Sequence, residues 1–368
     1  MHENLELILW NKFHILNLHS DILIAQSLAG YHTFGVKVQS KYLAIVQDKQ
    51  QLFAILQSQE YQECLQEGMG WLVLGQGSNV LFKTDFKGFT IINRMPGIRI
   101  LKETSTQALV EVGAGVIWDE LVNWTLANKL GGIENLIRIP GTVGAAPVQN
   151  IGAYGMEVKN AIHEVIMTEI PSGNTHVFSN AECAFGYRTS IFKTSLQGKC
   201  VITAVRFLLE KNAAPLITYE PVQVELRRKN ITHPTIQDTA SAIATIRSEK
   251  LPDPAVLGNA GSFFKNPIVN ETLIKELIRV HPDIKYHSAE NGFKIYAGWL
   301  LEKAGWRGSK KGAVGCYEKQ SLVLVNFGGA TGQEIDDFAS EIECSIKSRF
   351  GITLEREVRC IPFDNKKE

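Results

Sequence analysis

The chain has 368 residues, 45% of them hydrophobic, which is long enough for two or three compact units around a large buried core. Thirty-eight basic residues balance thirty-eight acidic ones, so there is no one-signed field of the kind that holds nucleic acid or an anionic membrane, and small molecules are the expected ligands. Cys64, Cys183, Cys200, Cys316, Cys344 and Cys360 are scattered, with no C-x-x-C pair and no histidine at metal-ligand spacing. This pattern predicts reduced thiols, no metal and a cytoplasmic location.

The first apolar stretch, "LELILWNKFHILNLHSDILIAQSLAG", is broken by Asn, Lys, His and Asp and has neither a basic start nor a cleavage pattern of small residues. Residues 1–30 therefore read as an N-terminal extension rather than a signal peptide or membrane span. Between Leu43 and Glu67 the pattern predicts a strand leading into a helix with Asp48 near its start. Strands follow at "GWLVLG", "FTIINR" and "ALVEVGAG", and "VIWDELVNWTLANKLGG" predicts an amphipathic helix closed by Gly131 and Gly132. Beyond a glycine-rich stretch, "HEVIMTEI", "NTHVFS" and "GKCVITAVRFLLE" predict strands, and the breakers in "KNAAPLITYEP" predict a domain boundary around residue 215. The remainder alternates helices ("DTASAIATIRSEK", "NETLIKELIRV", "AGWLLEKAG", "GQEIDDFASEIECSIKSRFG") with strands "SLVLVNF" and "TLEREVRC". The architecture is mixed α and β.

Two segments resist that reading. "LGQGSNVLF" places Gly75 and Gly77 around Gln76, with Ser78 and Asn79 as side-chain donors. "IPGTVGAAPVQNIGAYG", Ile139 to Gly155, has too many glycines and prolines for a helix or strand and must be a long ordered loop. Successive amides of two such loops form a nest suited to a pyrophosphate; the alternative for Gly75 and Gly77 alone is a tight turn. The pattern is neither G-x-G-x-x-G nor a Walker loop, so a Rossmann or P-loop fold is excluded. The pair of loops points to a dinucleotide.

With "HTFGV" at 32–36, "FGYRTSIFK", "KLPDP", "GNAGSFFKNP", "AGWLLEKAG" and "LEREVR", these segments resemble the UDP-N-acetylenolpyruvoylglucosamine reductases from about residue 31 to 361. The resemblance implies an α+β fold: an FAD-binding domain of the vanillyl-alcohol-oxidase/PCMH type at 31–214 in two lobes, a smaller α+β substrate-binding domain at 215–330, and a helix and strand at 331–368 returning to the cofactor cleft. It implies FAD as cofactor, NADPH as hydride donor, a UDP-sugar as substrate, and a monomer or weak homo-oligomer.

The same resemblance distributes roles. Ser262, preceded by two small residues that leave a ligand room to approach, would otherwise be a turn or cap residue; the family uses it as the acid that protonates the substrate. Arg188 would pair with the substrate carboxylate and Glu357 would act from the side opposite the hydride donor, although each could be an ordinary ion-pair residue. Cofactor contacts fall to Gly75, Gln76, Gly77, Ser78, Asn79, Pro140, Gly141, Gly144, Ala145, Val148, Gly152, Arg247 and Arg359. Substrate contacts fall to Tyr219, Lys250, Asn266 and Gln320, with Tyr286 on a flap, Arg307 at a diphosphate-binding position, and Tyr154 either lining the cleft or packing. Gln76, Arg356 and the N-terminal extension depart from the common family pattern. The rival within enzymes is a flavin oxidase of a small alcohol or hydroxy acid, which leaves "GSFFKNP" unexplained; a non-catalytic relative would lack Ser262, Arg188 or Glu357, and all three are present.

Overall fold

The alternating apolar and polar residues of Gln39–Val46 form a strand with one buried face, and Asp48 then caps the helix Lys49–Leu56 by accepting the Gln51 amide at 2.7 Å. Residues 22–362 are described by this computed structural model, so residues 1–21 of the expected extension and 363–368 of the expected terminal segment lie outside the described residues. The single helix expected after Asp48 is two, because Ser58 starts a second at Gln59–Gln66 by accepting the Tyr61 amide. The chain divides into two compact units. One contains the described residues to Gln26, Ser40–Gln76 and Lys87–Arg247; the other contains Ser27–Gln39, Gly77–Phe86 and the chain from Ser248.

The first unit has two cores. A four-stranded sheet, ordered Ile22–Ser27, Gln39–Val46, Phe86–Asn93, Trp71–Leu74, packs Leu52, Leu56, Tyr61, Phe89 and Ile91 beneath its two helices. Its last two strands run parallel, which requires the crossover that the chain makes between them. An antiparallel sheet carries the second core: Thr175–Ser179, Ile162–Glu169, Cys200–Lys211, Gln107–Gly113 and Ile98–Glu103 lie side by side, and Leu130–Gly131 joins the Cys200–Lys211 strand. Trp118, Leu121 and Val122 of the helix Trp118–Ala127 are buried in this core.

That helix stops earlier than the sequence suggested. Asn128 ends it, Lys129 turns left-handed at φ 57°, and Leu130–Gly131 enters the sheet. Gly131 is held there by space, since an added Cβ would overlap the Cβ of Ala213. The linker read near residue 215 lies inside this unit: Leu216 and Ile217 pack on the second core, and the helix Glu220–Arg228, absent from the sequence reading, buries Val222 and Leu226 in it.

The second unit pairs Gly258–Ser262, Val323–Asn326, Val314–Cys316 and Lys310–Lys311 in an antiparallel sheet against the helix Gly332–Phe350. A capping box between Thr331 and Glu334 starts this helix and Gly351, left-handed at φ 69°, ends it. A three-stranded sheet orders Ile268–Val269, Gly292–Ile295 and Tyr286–Ala289. The expected last strand is shorter than "TLEREVRC": only Arg359–Ile361 is regular, parallel to Val80–Phe82. No helix among the described residues is long and apolar enough to cross a membrane.

Candidate active site

The first unit brings the start of the first glycine loop against the second loop. Gly75 is needed because an added Cβ would overlap the Thr142 hydroxyl, and its carbonyl accepts Nη1 of Arg94 at 2.8 Å. The Gln76 Oε1 accepts the Gly141 amide at 2.7 Å, so this side chain ties one loop to the other. Gly144 donates to the Ala114 carbonyl at 2.9 Å and Ala145 to Thr142 at 3.0 Å. The amides of Gly141, Gly144 and Ala145 are thus used within the protein, and the nest expected of this loop is not built from these three; its small residues serve close packing instead. Pro140 and Ala145 are exposed, and Val148, packed on the second core, accepts the Ser190 hydroxyl at 2.7 Å.

Arg188 is half-buried in the left-handed region at φ 55°, and Tyr154 shares that conformation at φ 50°. A non-glycine residue there costs about 1–2 kcal/mol and persists only where its surroundings hold it. The Arg188 Nη2 donates to the Gly152 carbonyl at 2.8 Å, and the Lys193 ammonium donates to the Arg188 carbonyl at 3.1 Å. Gly152 and Arg188 are therefore neighbours. Tyr154 stands edge-on to Tyr219 at 5.5 Å and hydrogen-bonds Arg247. Burial pushes the Tyr154 hydroxyl pKa up against the opposing pull of Arg247, and burial lowers the Arg247 pKa despite the Tyr154 hydroxyl and the Asp119 charge. The Arg247 Nε is buried without a hydrogen-bond partner, which suits an anionic ligand. Sequence reasoning missed Asn135, whose fully buried amide donates to the carbonyls of Tyr154 and Leu216, both at 2.9 Å, and so ties the second loop to the chain leading to Tyr219. Its signal was a polar residue inside the apolar run "GGIENLIRI".

The second unit brings the segments that carry Ser262 and Glu357 together. The pairing of Gly258–Ser262 with Val323–Asn326 shifts register between Asn259 and Ser262, where Gly261 is left-handed at φ 70° and donates to Asn259 Oδ1 at 3.0 Å. Such a bulge re-aims the side chain that follows it, here Ser262. On the next segment the Glu357 amide donates to the Phe263 carbonyl at 2.8 Å, and Lys265 donates to the Glu355 carbonyl at 2.9 Å. The second half of "LGQGSNVLF" locks this strand: Asn79 Nδ2 donates to the Glu357 carbonyl at 3.1 Å, and the Arg359 amide donates to the Asn79 carbonyl at 3.1 Å. Arg359 is exposed, and the protein around its guanidinium lowers its pKa to about 10 by desolvation.

The expected substrate residues of this unit lie on several elements. Asn266 Oδ1 accepts the Ala297 amide at 2.9 Å and the Gln320 side chain lies near Gly298, so both meet at the start of the helix Ala297–Lys303. Tyr286 begins a hairpin strand, its ring edge-on to Phe293 at 5.9 Å and 41% exposed. Arg307 is exposed and donates to the Glu318 carbonyl at 2.7 Å, and Lys250 is exposed at the end of the helix Ile236–Lys250.

Residues 253–361 match the family described as UDP-N-acetylenolpyruvoylglucosamine reductase, C-terminal domain, and residues 42–179 match the FAD binding domain family. UDP-N-acetylenolpyruvoylglucosamine reductase of Pseudomonas putida is 43% identical over 332 residues, covering 90% of this chain and 96% of its own; the protein of that name from Chromobacterium violaceum is 42% identical with the same coverage. This chain belongs to the UDP-N-acetylenolpyruvoylglucosamine reductase family. The crystal structure of UDP-N-acetylenolpyruvylglucosamine reductase from Thermus caldophilus covers 93% of this chain at a TM-score of 0.62 and 22% identity, which establishes the shared fold. The α+β fold with an FAD-binding domain, read from the sequence, is borne out. Within a reductase family defined by two matched domains, Arg188 lies just beyond the FAD-binding match, while Ser262 and Glu357 both lie in the C-terminal match.

Proposed function

We propose that the protein is an FAD-containing reductase that uses NADPH to convert UDP-N-acetylglucosamine enolpyruvate to UDP-N-acetylmuramate, a step of peptidoglycan precursor synthesis in the cytoplasm, acting as a monomer or weak homo-oligomer. Family membership over 90% of the chain supports the reaction, and the bond from the Glu357 amide to the carbonyl of Phe263, the residue after Ser262, is the observation that supports the assignment of residues. FAD, when bound, supplies hydride chemistry, with two electrons from NADPH delivered to the terminal vinyl carbon of the substrate. Gly75, Gln76, Gly77, Ser78, Asn79, Arg247 and Arg359 are the residues assigned to hold it; the unpaired Nε of Arg247 is the feature that fits a diphosphate.

Arg188 is assigned to the substrate carboxylate. Its guanidinium, oriented by the Gly152 carbonyl and by a backbone held left-handed, would stabilise the enolate oxygen as negative charge develops. Ser262 then transfers its hydroxyl proton to the carbon next to the carboxylate, forming the C–H bond and closing the enolate to the carboxylate form. Glu357 is assigned to the opposite face. Tyr154, Tyr219, Lys250, Asn266, Tyr286, Arg307 and Gln320 are assigned to the UDP-sugar. Turnover of UDP-N-acetylglucosamine enolpyruvate with NADPH by the yellow purified protein tests the reading. Absence of product together with rapid oxygen consumption on an alcohol or hydroxy acid overturns it.

A further inference from the structure

Arg356 immediately precedes Glu357 and is engaged on all sides. Its Nε donates to Glu343 Oε1 at 2.7 Å, Nη1 to Asp336 Oδ1 at 2.5 Å, and Nη2 to the Ser340 hydroxyl at 2.8 Å and Glu343 Oε2 at 3.3 Å. Asp336, Ser340 and Glu343 recur along one face of the Gly332–Phe350 helix, so the guanidinium is clamped on a stripe of that helix. All three charged groups are well shielded, with side-chain exposures of 17% for Arg356, 14% for Asp336 and 28% for Glu343; burial acts to lower the Arg356 pKa, and Glu343, with Cys360, outweighs it and holds that pKa above its ordinary value.

The other side of Arg356 faces the segment that follows Ser262. Its Cζ lies 5.9 Å from the ring centre of Phe263, the residue after Ser262, and Arg356 pairs by a backbone bridge with Phe264. After Arg356 the strand bends: the amides of Glu357 and Val358 converge on the Phe263 carbonyl at 2.8 and 3.4 Å, and regular pairing resumes at Arg359. Nη1 of Arg356 reaches across that bend to Cys360 Sγ at 3.5 Å. The guanidinium therefore spans the bend that carries Glu357 and covers the ring beside Ser262.

We infer that Arg356 is a positioning residue that holds Glu357 and Ser262 in register, by fastening the Glu357 bend and the Phe263 ring to one face of the Gly332–Phe350 helix. The inference rests on the roles proposed above for Ser262 and Glu357. Only a planar fork with five donors satisfies this set of acceptors; an ammonium keeps the charge and loses the geometry.

Arg356→Lys in the holoenzyme tests it. Displacement of a reacting group by about 1 Å costs up to about a hundredfold, so kcat falls by about ten- to a hundredfold while KM for the enolpyruvyl substrate stays within about twofold. Bleaching of the flavin by NADPH keeps its wild-type rate, reoxidation by substrate slows, and amide exchange quickens in peptides covering 354–361. A kcat within about twofold of wild type overturns the inference, as does an equal slowing of bleaching and reoxidation, which a general loss of structure produces. Should Arg356→Lys not fold, Glu343→Gln removes one charge of the clamp and keeps an acceptor; the same selective slowing is expected, and unchanged reoxidation overturns the inference. Glu357→Gln separates the two layers of argument. Reoxidation at the wild-type rate in Glu357→Gln removes the proposed role of Glu357 and the inference with it, whereas slow Glu357→Gln beside normal Arg356→Lys and Glu343→Gln overturns the inference alone.

Discussion

Gly77→Ala and Gly35→Ala form a matched pair that isolates the effect of close packing in the first glycine loop. Both glycines are left-handed, at φ 61° and 64°, so alanine at either site incurs the same conformational cost of about 1–2 kcal/mol. At Gly35 an added Cβ meets nothing within 4 Å, and that cost is the whole effect. At Gly77 the Cβ would overlap the Tyr31 carbonyl oxygen and stand 2.6 Å from His32 Cα, both backbone atoms. The obstructing segment cannot retreat easily: the Thr33 amide donates to the Gly77 carbonyl at 3.2 Å, Asn259 donates to Thr33 at 3.1 Å, and the His32 ring packs 5.3 Å from Phe82. Overpacking of this kind adds about 1–3 kcal/mol, so Gly77→Ala is expected to lose about 2–5 kcal/mol against about 1–2 for Gly35→Ala. Urea unfolding of the two variants side by side, with unchanged m-values, measures the difference. Equal midpoints would refute the argument that backbone proximity, rather than turn conformation, demands glycine at 77.

Three further outcomes are expected, two at the site and one in the antiparallel sheet. Ser262→Ala should still be bleached by NADPH, while reoxidation by the enolpyruvyl substrate slows by about a hundredfold or more; a wild-type rate of reoxidation removes the acid assignment. Gln76→Leu deprives the Gly141 amide of its acceptor, at a cost of about 1–3 kcal/mol, and raises the FAD dissociation constant by about tenfold or more; a titration showing unchanged affinity means that the tie between the loops does not shape the cofactor site. Glu111 is partly buried, which raises its carboxyl pKa, but hydrogen bonds from Arg206 and Arg99 outweigh burial and hold it below the ordinary value of 4.5. A carboxylate depressed in the folded state stabilises above that value and loses its contribution as pH falls through the folded pKa, so Glu111→Gln should be less stable near neutrality and flatter on the acid side. Parallel acid limbs in thermal melts of the two proteins would contradict this.

Much of the fold was legible because its signals are local. Asp48 caps a helix through an amide three residues on, Thr331 and Glu334 complete a box within one turn, and the apolar strands from "GWLVLG" to "SLVLVNF" form where alternation or continuous burial places them. Tertiary packing decided other local competitions: Leu130–Gly131 left the helix to pair with the Cys200–Lys211 strand, and Leu216 and Ile217 beyond the expected linker packed on the second core.

The sequence by itself determined which chemical groups are present and the short-range conformations around them: two glycine-dense loops, a serine behind small residues, an arginine in "FGYR" and a glutamate near the terminus. Tertiary structure alone decided their company. Gln76 reaches Gly141, Asn135 joins Tyr154 to Leu216, and Asn79 holds the carbonyl of Glu357 across 278 residues of chain. These contacts depend on strand pairing and loop closure between distant segments, whose register no spacing within a single segment encodes.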